Sequence, residues 1–267
     1  MTQGVVIFAY ANELIDYVAL AAWSTKNIHR HLGLPVCVVT DVVDLPGTYQ
    51  FDQVIHADKQ GTNSRYFTDF KDSVSWYNHD RMTAYALSPW DQTLVLDADY
   101  VVASDQLKVL FNVDIDFLAH DHAYDVAGGE TFEQDNWFGR YHMPMSWATV
   151  MRFNRGQTAE LIFDTMQMIR DNWTHYRNVY SISDATYRND YALTIAQLIV
   201  NGQVLAWPSI PWSLATVTPD AQLTQLADDH YRVDYKTVSG QSKWITLTQD
   251  FHAMGKRYLG DIVVSAC

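Results

Sequence analysis

The segment from Thr93 to Val102 constrains the fold of this 267-residue chain more than any other. Its first four residues, ending at Leu96, are aliphatic or β-branched, which favours a buried strand. Two carboxylates separated by one residue, Asp97 and Asp99, follow directly. Alternate residues at a strand end can face one cation, and hard divalent cations prefer oxygen ligands. The segment therefore predicts either a metal-binding strand tip or a solvated turn, and the spacing alone leaves both open.

Asp-x-Asp spacing is weak evidence by itself, because chance supplies about three such triplets in a chain this rich in Asp. A second triplet, from Asp114 to Asp116, is interpreted as one of these. The first triplet differs because β-favouring residues precede it, a second apolar run follows it, and no charge lies in either flank.

Composition limits the class of protein. The 18 basic residues against 31 acidic ones give a net charge of −13, which disfavours sequence-independent contact with nucleic-acid phosphates. Cys37 and Cys267 are too few for a disulfide framework, which suits a reducing compartment. The first strand has no leader-like segment before it, and no apolar run reaches the ~18 residues of a membrane span. We expect a soluble cytoplasmic protein with one domain over residues 1–267.

Apolar strands alternate with helices in the first half of the chain. The pattern predicts strands at 5–10, 36–41 and 51–56, with helices over 12–31 and 80–88. This alternation is typical of an α/β fold, in which helices cover both faces of a mostly parallel, Rossmann-like sheet.

The second half has a less regular pattern. Residues 121–146 show no period and predict a long loop, and from Trp207 onward short strands with turns predict a small C-terminal β-rich extension, including a hairpin around Ser239 and Gly240. The other predicted elements are a short helix at 104–111, strands at 115–120 and 147–154, and helices at 157–173 and 190–201.

Ligands of open parallel sheets bind outside the carboxyl ends of the strands. Three candidate segments fall there: Ala9 to Asn12, Asp41, and Asp97 with Asp99. Neither a dinucleotide-binding glycine fingerprint nor a P-loop occurs in the sequence. Bound phosphates would therefore need a metal ion and side-chain cations to neutralise them.

Four segments, in order, resemble the GT-A glycosyltransferases, most closely the retaining enzymes of glycosyltransferase family 8, which include glycogenin and bacterial lipopolysaccharide galactosyltransferases. They are the first strand with Tyr17 and its helix, residues 51–55, residues 81–87 leading to 94–99, and residues 252–256. The resemblance covers most of residues 4–120 and then only islands. It implies a GT-A fold and a metal-dependent enzyme that moves a sugar, with retention, from a nucleoside-diphosphate sugar, expected to be a UDP-sugar, to an acceptor hydroxyl. Residues 1–120 would bind the nucleotide sugar, and residues 121–267 would form the acceptor side.

The resemblance also implies roles for individual residues. Asp97, Asp99 and His252 would hold Mn²⁺ or Mg²⁺, which suits two hard oxygens and an imidazole. Arg81 and Lys256 would place positive charge against the donor phosphates. The implied catalytic residues are Asp190, which would stabilise charge on the sugar ring or orient the acceptor, and Arg81. The implied cofactor-binding residues are Ala9, Tyr10, Asn12, Tyr17, Asp41, Arg81, Ala98, Gly255 and Lys256.

Ordinary structural roles are open for the same residues. Arg81 could form a surface ion pair, His252 could be a strand-end histidine, Lys256 could belong to a solvated charge pair with Arg257, and Asp190 could be a helix N-cap. Two departures from the family pattern concern the donor sugar and the C-terminal motif. Trp147 stands where a sugar-contacting Asn is expected, and Lys256 follows Gly255 directly, without the usual Pro-Trp after it.

Two other functions fit the same residues: a nucleotide-sugar or glycan-binding protein without turnover, and a nucleotide-sugar hydrolase or pyrophosphorylase. The donor sugar, the acceptor and the oligomeric state are left open by the sequence. Residues 121–146 and the segment from Trp207 to Trp212 are expected to frame the acceptor cleft. A saccharide, a protein, a lipid head group and a nucleic-acid base are all candidate acceptors, and the last would require one basic face built from Lys26, Arg30, Lys59, Arg65 and Lys71.

Overall fold

A computed structural model describes residues 1–59, 61, 63–77, 80–128, 136–237 and 239–265. Strands alternate with helices through much of its first half. In chain order these elements are β1 (Gln3–Phe8), α1 (Tyr17–Leu32), β2 (Val36–Thr40), β3 (Gln53–His56), β4 (Asn63–Phe67), β5 (Asp72–Trp76), a 3₁₀ helix (Arg81–Thr83), α2 (Ala84–Leu87), β6 (Gln92–Asp97), β7 (Tyr100–Val101), a second 3₁₀ helix (Gln106–Asn112) and β8 (Phe117–His120).

The second half contains the remaining described helices and most of the antiparallel strands. Its described elements are β9 (Ala123–Asp125), β10 (Trp137–Phe138), β11 (Met143–Pro144), β12 (Trp147–Asn154), α3 (Gln157–Asp171), α4 (Trp173–Val179), α5 (Asn189–Val200), β13 (Leu214–Val217), β14 (Gln222–Ala227), β15 (His230–Lys236), β16 (Ser242–Leu247), β17 (Phe251–Ala253) and α6 (Lys256–Ser265).

The central sheet has six strands in the order β3-β2-β1-β6-β12-β8. The first four run parallel, and β12 is antiparallel to both of its neighbours. Continuous apolar runs explain the central position of β1, β2 and β6, because a strand covered on both faces buries every side chain; all five residues of β2 are buried. The predicted α/β class with a mostly parallel sheet flanked by helices is confirmed.

Helix α1 begins five residues later than predicted, at Tyr17. The side chain of Asn12 forms a turn instead, accepting hydrogen bonds from the backbone N–H groups of Leu14 and Ile15 at 2.9 and 2.8 Å. Asp16 then caps the helix by accepting from the N–H of Ala19 at 2.9 Å. The predicted start at Asn12 is wrong because a local side-chain turn competes with the helix there.

A second sheet, in the order β7-β17-β13-β9, brings distant parts of the chain together. Strand β17 pairs antiparallel with β7, so that His252 lies opposite Tyr100. The backbone N–H of Ala253 also donates to the carbonyl of Asp99 at 3.0 Å. This pairing joins the C-terminal part of the chain to the end of β6.

Three antiparallel strands, β14-β15-β16, form the predicted C-terminal β-rich extension, and Val233 pairs with Ile245 as the predicted hairpin requires. The prediction of one long loop over 121–146 is wrong in its described part, which contains β9, β10 and β11; residues 129–135 lie outside the described residues. The helix predicted at 80–88 starts as a 3₁₀ turn, the one at 104–111 is a 3₁₀ helix, and the one at 157–173 ends at Asp171 before α4. Among the described helices, none is long and apolar enough to cross a lipid bilayer.

Candidate active site

A cavity of about 470 Å³ opens where β1 and β6 end. Phe8 and Tyr10 line it from the end of β1, and Asp97, Ala98 and Asp99 line it from the end of β6. Further walls come from the hairpin β4–β5, the start of β12, the segment that leads into α5, and the connection from β17 to α6. The cavity therefore lies at the carboxyl edge of the parallel strands, as expected for a ligand site in an open α/β sheet.

Three potential metal ligands meet in this cavity. One side-chain ligand atom from each of Asp97, Asp99 and His252 lies within 4.8 Å of the others. Asp97 is the last residue of β6, and Asp99 lies in the turn to β7. Because β17 pairs with β7, His252 is held beside the two carboxylates, and its Nε2 lies 3.4 Å from Oδ2 of Asp99. The solvated-turn interpretation of Asp97 and Asp99 is therefore wrong.

Each carboxylate of this group also has a cationic side chain beside it. The guanidinium of Arg81 is bonded to Asp97, and the ammonium of Lys256 is bonded to Asp99. Lys256 is only 5% exposed, so the prediction of a solvated pair with Arg257 is wrong. Arg81 is also buried at its charged end, where Nη1 donates to the carbonyl of Ala148 at 2.7 Å, so it is not a surface ion pair.

Burial sets the protonation of the basic groups in the cavity. Burial lowers the pKa of His252 to about 3; Asp190 opposes this shift, and the cations Arg65, Arg81 and Arg188 add to it. The imidazole is therefore neutral near pH 7 and can offer a lone pair. Burial also lowers the pKa of Arg81 to about 10, at which it stays charged. Burial lowers the pKa of Lys256 well below its usual range, and its ion pair with the Asp99 carboxylate favours the charged ammonium form.

Asp190 is held by two bonds inside the cavity wall. Its Oδ1 accepts from the backbone N–H of Ala148 at 2.9 Å, and its Oδ2 accepts from Arg188 at 2.9 Å. The N-cap of α5 is Arg188, and Asp190 is in the first turn, so the N-cap interpretation is wrong. Both backbone polar groups of Ala148 are therefore hydrogen-bonded to side chains of the cavity: its N–H donates to Asp190, and its carbonyl accepts from Arg81.

Trp147 forms another buried wall of the cavity. It begins β12, and its indole Nε1 donates to Oδ1 of Asn136 at 3.3 Å, which fixes the plane of the ring. A rigid apolar surface of this size limits the space beside Ala148 and presents a ring face to a ligand.

Some of the residues to which the resemblance assigns donor binding line the cavity, and the others lie outside its described lining. Asp41 accepts from the backbone N–H of Ala11 at 3.2 Å and pairs with Lys59 at 2.9 Å. Asn12 is engaged in its turn. The residues that line the cavity are Tyr10, Tyr17, Arg81, Ala98 and Lys256, and those outside its described lining are Ala9, Asn12, Asp41 and Gly255.

Several lining residues were not predicted from the sequence. Arg65 and Trp76 come from the unpredicted hairpin β4–β5, where Val74 and Trp76 alternate with serines and offered a weak strand signal. Asp80 also lines the cavity, and it directly precedes the predicted site residue Arg81 in the sequence. The further unpredicted lining residues include Tyr66, Thr149, Asp184, Thr186 and Arg188.

No protein-family model matches this chain, and no curated protein matches it in sequence. Among similar solved structures is the glycosyltransferase GlyE of Streptococcus pneumoniae TIGR4, at 15% identity and a TM-score of 0.45, with 79% of this chain and 46% of GlyE covered. The galactosyltransferase LgtC, in complex with donor and acceptor sugar analogs, is 16% identical with a TM-score of 0.45, covering 72% of this chain and 69% of LgtC. Mouse xyloside xylosyltransferase 1 is 10% identical with a TM-score of 0.43, covering 76% and 84%.

All three of these solved structures are glycosyltransferases. The chain spans about half the length of GlyE.

Proposed function

We propose that this protein is a metal-dependent glycosyltransferase that moves a sugar from a nucleoside-diphosphate sugar, most simply a UDP-sugar, to an acceptor hydroxyl. The observation that carries the proposal is the convergence of Asp97, Asp99 and His252 with the cations Arg81 and Lys256 in one cavity at the carboxyl edge of the sheet. A site that combines metal ligands with fixed cations suits a ligand with several negative charges, such as a diphosphate.

The ligand set fits a divalent cation. Two carboxylates supply hard oxygen ligands, and the buried imidazole of His252 supplies a neutral nitrogen, a combination suited to Mn²⁺ and acceptable for Mg²⁺. The Nδ1 atom of His252 is buried and has no hydrogen-bond partner among the described residues. When bound, the cation would act as a Lewis acid that stabilises the leaving diphosphate.

The chain's own cations would assist the departure of the diphosphate. Lys256 is buried and the Arg81 side chain is 15% exposed, and charges held in a water-poor cleft need little reorganisation when a phosphate oxygen gains charge. Asp190 would hold the adjacent backbone through Ala148 and place negative charge near the sugar, where positive charge develops during transfer. Tyr17, at the start of α1, lines the same cavity and would contact the nucleobase.

We further propose that transfer retains the anomeric configuration, as the sequence resemblance implies. The acceptor hydroxyl would attack on the face from which the diphosphate leaves, and a diphosphate oxygen would take its proton. The cavity then needs no side chain as a dedicated base. The proposed division, with donor binding in residues 1–120 and acceptor binding in 121–267, stays a prediction, as does the compartment.

Several of the basic residues that a nucleic-acid acceptor would need are engaged elsewhere. Arg30 pairs with Asp228 and Asp229, and Lys59 pairs with Asp41. Arg65 lines the cavity. With a net charge of −13 in addition, the proposal favours a saccharide, protein or lipid head-group hydroxyl as acceptor.

The direct test incubates purified protein with Mn²⁺ and a panel of nucleotide sugars, and follows the anomeric proton signals by NMR. We expect slow hydrolysis of one donor without acceptor and transfer when a panel of acceptors is added. Asp97→Asn and Asp99→Asn should abolish both, whereas Asp114→Asn, in the second Asp-x-Asp triplet, should not. If no donor binds or turns over, the proposal is wrong, and hydrolysis that no acceptor diverts would identify a nucleotide-sugar hydrolase instead.

A further inference from the structure

Arg65 lines the cavity from the hairpin β4–β5, which carries none of the motifs on which the proposed function rests. Asn63, Arg65 and Phe67 share one face of β4, because side chains alternate along a strand. The guanidinium carbon of Arg65 lies 4.7 Å from the ring centroid of Trp76 and 5.3 Å from that of Phe67. The two rings hold the guanidinium by cation–π contact and leave its N–H donors available.

Arg65 differs from three other basic residues of the cavity in having no ion pair with any described residue. Arg81 pairs with Asp97, Lys256 with Asp99, and Arg188 with Asp190. Arg65 has neither an ion pair nor a side-chain hydrogen bond within the described ranges. Burial lowers the pKa of this half-buried guanidinium, although Tyr17, Asp190 and Asp69 oppose the shift, and burying its charge without a carboxylate at ion-pair distance is costly. An anionic ligand would remove that cost.

Two hydrogen bonds fix the hairpin against the cavity. The side-chain Nδ2 of Asn63 donates to the carbonyl of Tyr187 at 3.1 Å, just before α5. The backbone N–H of Arg257, in the first turn of α6, donates to Oδ2 of Asp69 in the hairpin turn at 2.9 Å. Arg257 directly follows Lys256, which is bonded to Asp99. The second bond therefore holds the hairpin next to Lys256.

Arg65 lines the same cavity as Lys256, His252 and Tyr17, and its charge acts on all three. Burial is the main cause of the lowered pKa of Lys256, and the charge of Arg65 lowers it further. The same charge adds to the burial that lowers the pKa of His252. Burial raises the pKa of Tyr17 to about 12, and Arg65 opposes that shift. An anion that reaches Lys256 therefore also lies within the field of Arg65.

We propose that Arg65 is an additional donor-binding residue whose guanidinium binds the diphosphate of the nucleotide alongside Lys256. This inference rests on the proposed function. A guanidinium presents a planar fork of donors that matches two phosphate oxygens, a geometry that a lysine ammonium does not offer. Since Trp76 and Phe67 already hold the side chain, little conformational entropy is lost when the ligand binds.

The test compares the affinities of UDP and uridine in the presence of Mn²⁺, by calorimetry for UDP and by NMR titration for uridine. Arg65→Met keeps an apolar side chain against Trp76 and removes the charge. It should weaken UDP binding about tenfold or more and leave uridine binding within about twofold. Arg65→Lys should fall between the wild type and Arg65→Met. Lys71→Met, in the exposed turn of the same hairpin, is the matched loss of one charge and should bind UDP as the wild type does.

The possible outcomes separate this inference from the proposed function. Equal UDP affinity in the wild type and in Arg65→Met would overturn the role of Arg65 and leave the proposed function standing. An equal loss of UDP and uridine affinity would also overturn it, because it would assign Arg65 to the packing of the hairpin. A wild-type protein that binds uridine no more weakly than UDP would overturn the proposed function and this inference together.

Discussion

The ammonium of Lys256 is bonded to Oδ2 of Asp99, the carboxylate oxygen that also lies 3.4 Å from Nε2 of His252. The potential metal ligand His252 and the ammonium of Lys256 therefore lie beside the same oxygen of Asp99. Lys256 and a divalent cation would compete for Asp99 until a diphosphate draws the ammonium toward its own oxygens.

Lys256→Met tests this competition. Without the ammonium, Asp99 is available to the ion, and Mn²⁺ alone should bind about tenfold more tightly. UDP should bind more weakly in the presence of Mn²⁺, because a phosphate partner is lost. Calorimetric titration with Mn²⁺, and then with UDP at saturating Mn²⁺, measures both effects. Lys243→Met, which removes an exposed lysine of β16, is the control. A lower affinity for Mn²⁺ alone would contradict the competition.

Asp190→Ala and Asp190→Asn separate a structural role from a chemical one. Alanine leaves the buried N–H of Ala148 without its acceptor, which should cost about 1–3 kcal/mol in the free energy of unfolding. Asparagine keeps an acceptor oxygen and should recover most of that stability, but it lacks the charge proposed to act on the sugar. Both variants should therefore lower kcat. Urea unfolding and donor-hydrolysis rates measure the two effects, with the exposed Asp164→Asn as control. Full activity in Asp190→Asn would exclude a role for the charge.

The apolar runs of the sequence were sufficient to predict the central sheet. Strands β1, β2, β6 and β12 follow from such runs because a strand covered on both faces must be apolar nearly throughout. Helix α6 was not predicted, although Leu259, Ile262 and Val263 recur at helical spacing and are buried. Its sequence continues directly from the motif at His252, and the short strands that the pattern predicts from Trp207 onward leave no place for a helix there.

The candidate site was predictable only in part. His252 reaches Asp99 through the pairing of β17 with β7, a long-range contact that no local pattern indicates. The family resemblance, not spacing, suggested it. The sequence offers Arg65 only as a candidate for a basic face toward a nucleic-acid acceptor, because β4 is short and polar and its aromatic partner Trp76 lies on another strand. The hydrogen bonds that place this hairpin join residues more than a hundred positions apart.

His120 gives the protein a predictable sensitivity to acid. It is buried in β8, its Nδ1 lies 2.8 Å from the carbonyl of Trp212, and burial lowers its pKa to about 4, although Asp121 and the Trp212 carbonyl oppose that shift. Between about pH 6.5 and pH 4 the unfolded chain binds a proton that the folded chain does not. As the pH is lowered through this range, protonation of His120 should therefore decrease the free energy of unfolding by up to about 1.4 kcal/mol per pH unit.

His120→Asn should remove this component, so that the difference between the wild-type and variant unfolding free energies shrinks as the pH falls from 7 to 4.5. Urea unfolding at several pH values measures it, and His56→Asn, which removes an exposed histidine, is the matched control. A difference that stays constant across this range would show that His120 is not the group responsible.

Trp147 should restrict the size of the donor sugar. Its indole is buried, lines the cavity and is held by Asn136. Trp147→Phe should enlarge the cavity at a cost of about 2 kcal/mol in stability and raise kcat/KM for an N-acetylhexosamine donor, relative to the unsubstituted hexose donor, about tenfold. Trp244→Phe, at an exposed position on β16, is the control. An unchanged ratio of the two kcat/KM values would place the sugar away from Trp147.

Binding of Mn²⁺ in the presence of UDP, followed by electron paramagnetic resonance, tests the central claim most directly. The account predicts one tightly bound Mn²⁺ per chain in the wild type and in Asp114→Asn, and loss of that ion in Asp97→Asn, Asp99→Asn and His252→Ala. Mn²⁺ binding that persists unchanged in these three variants, or that is absent from the wild type, would contradict it.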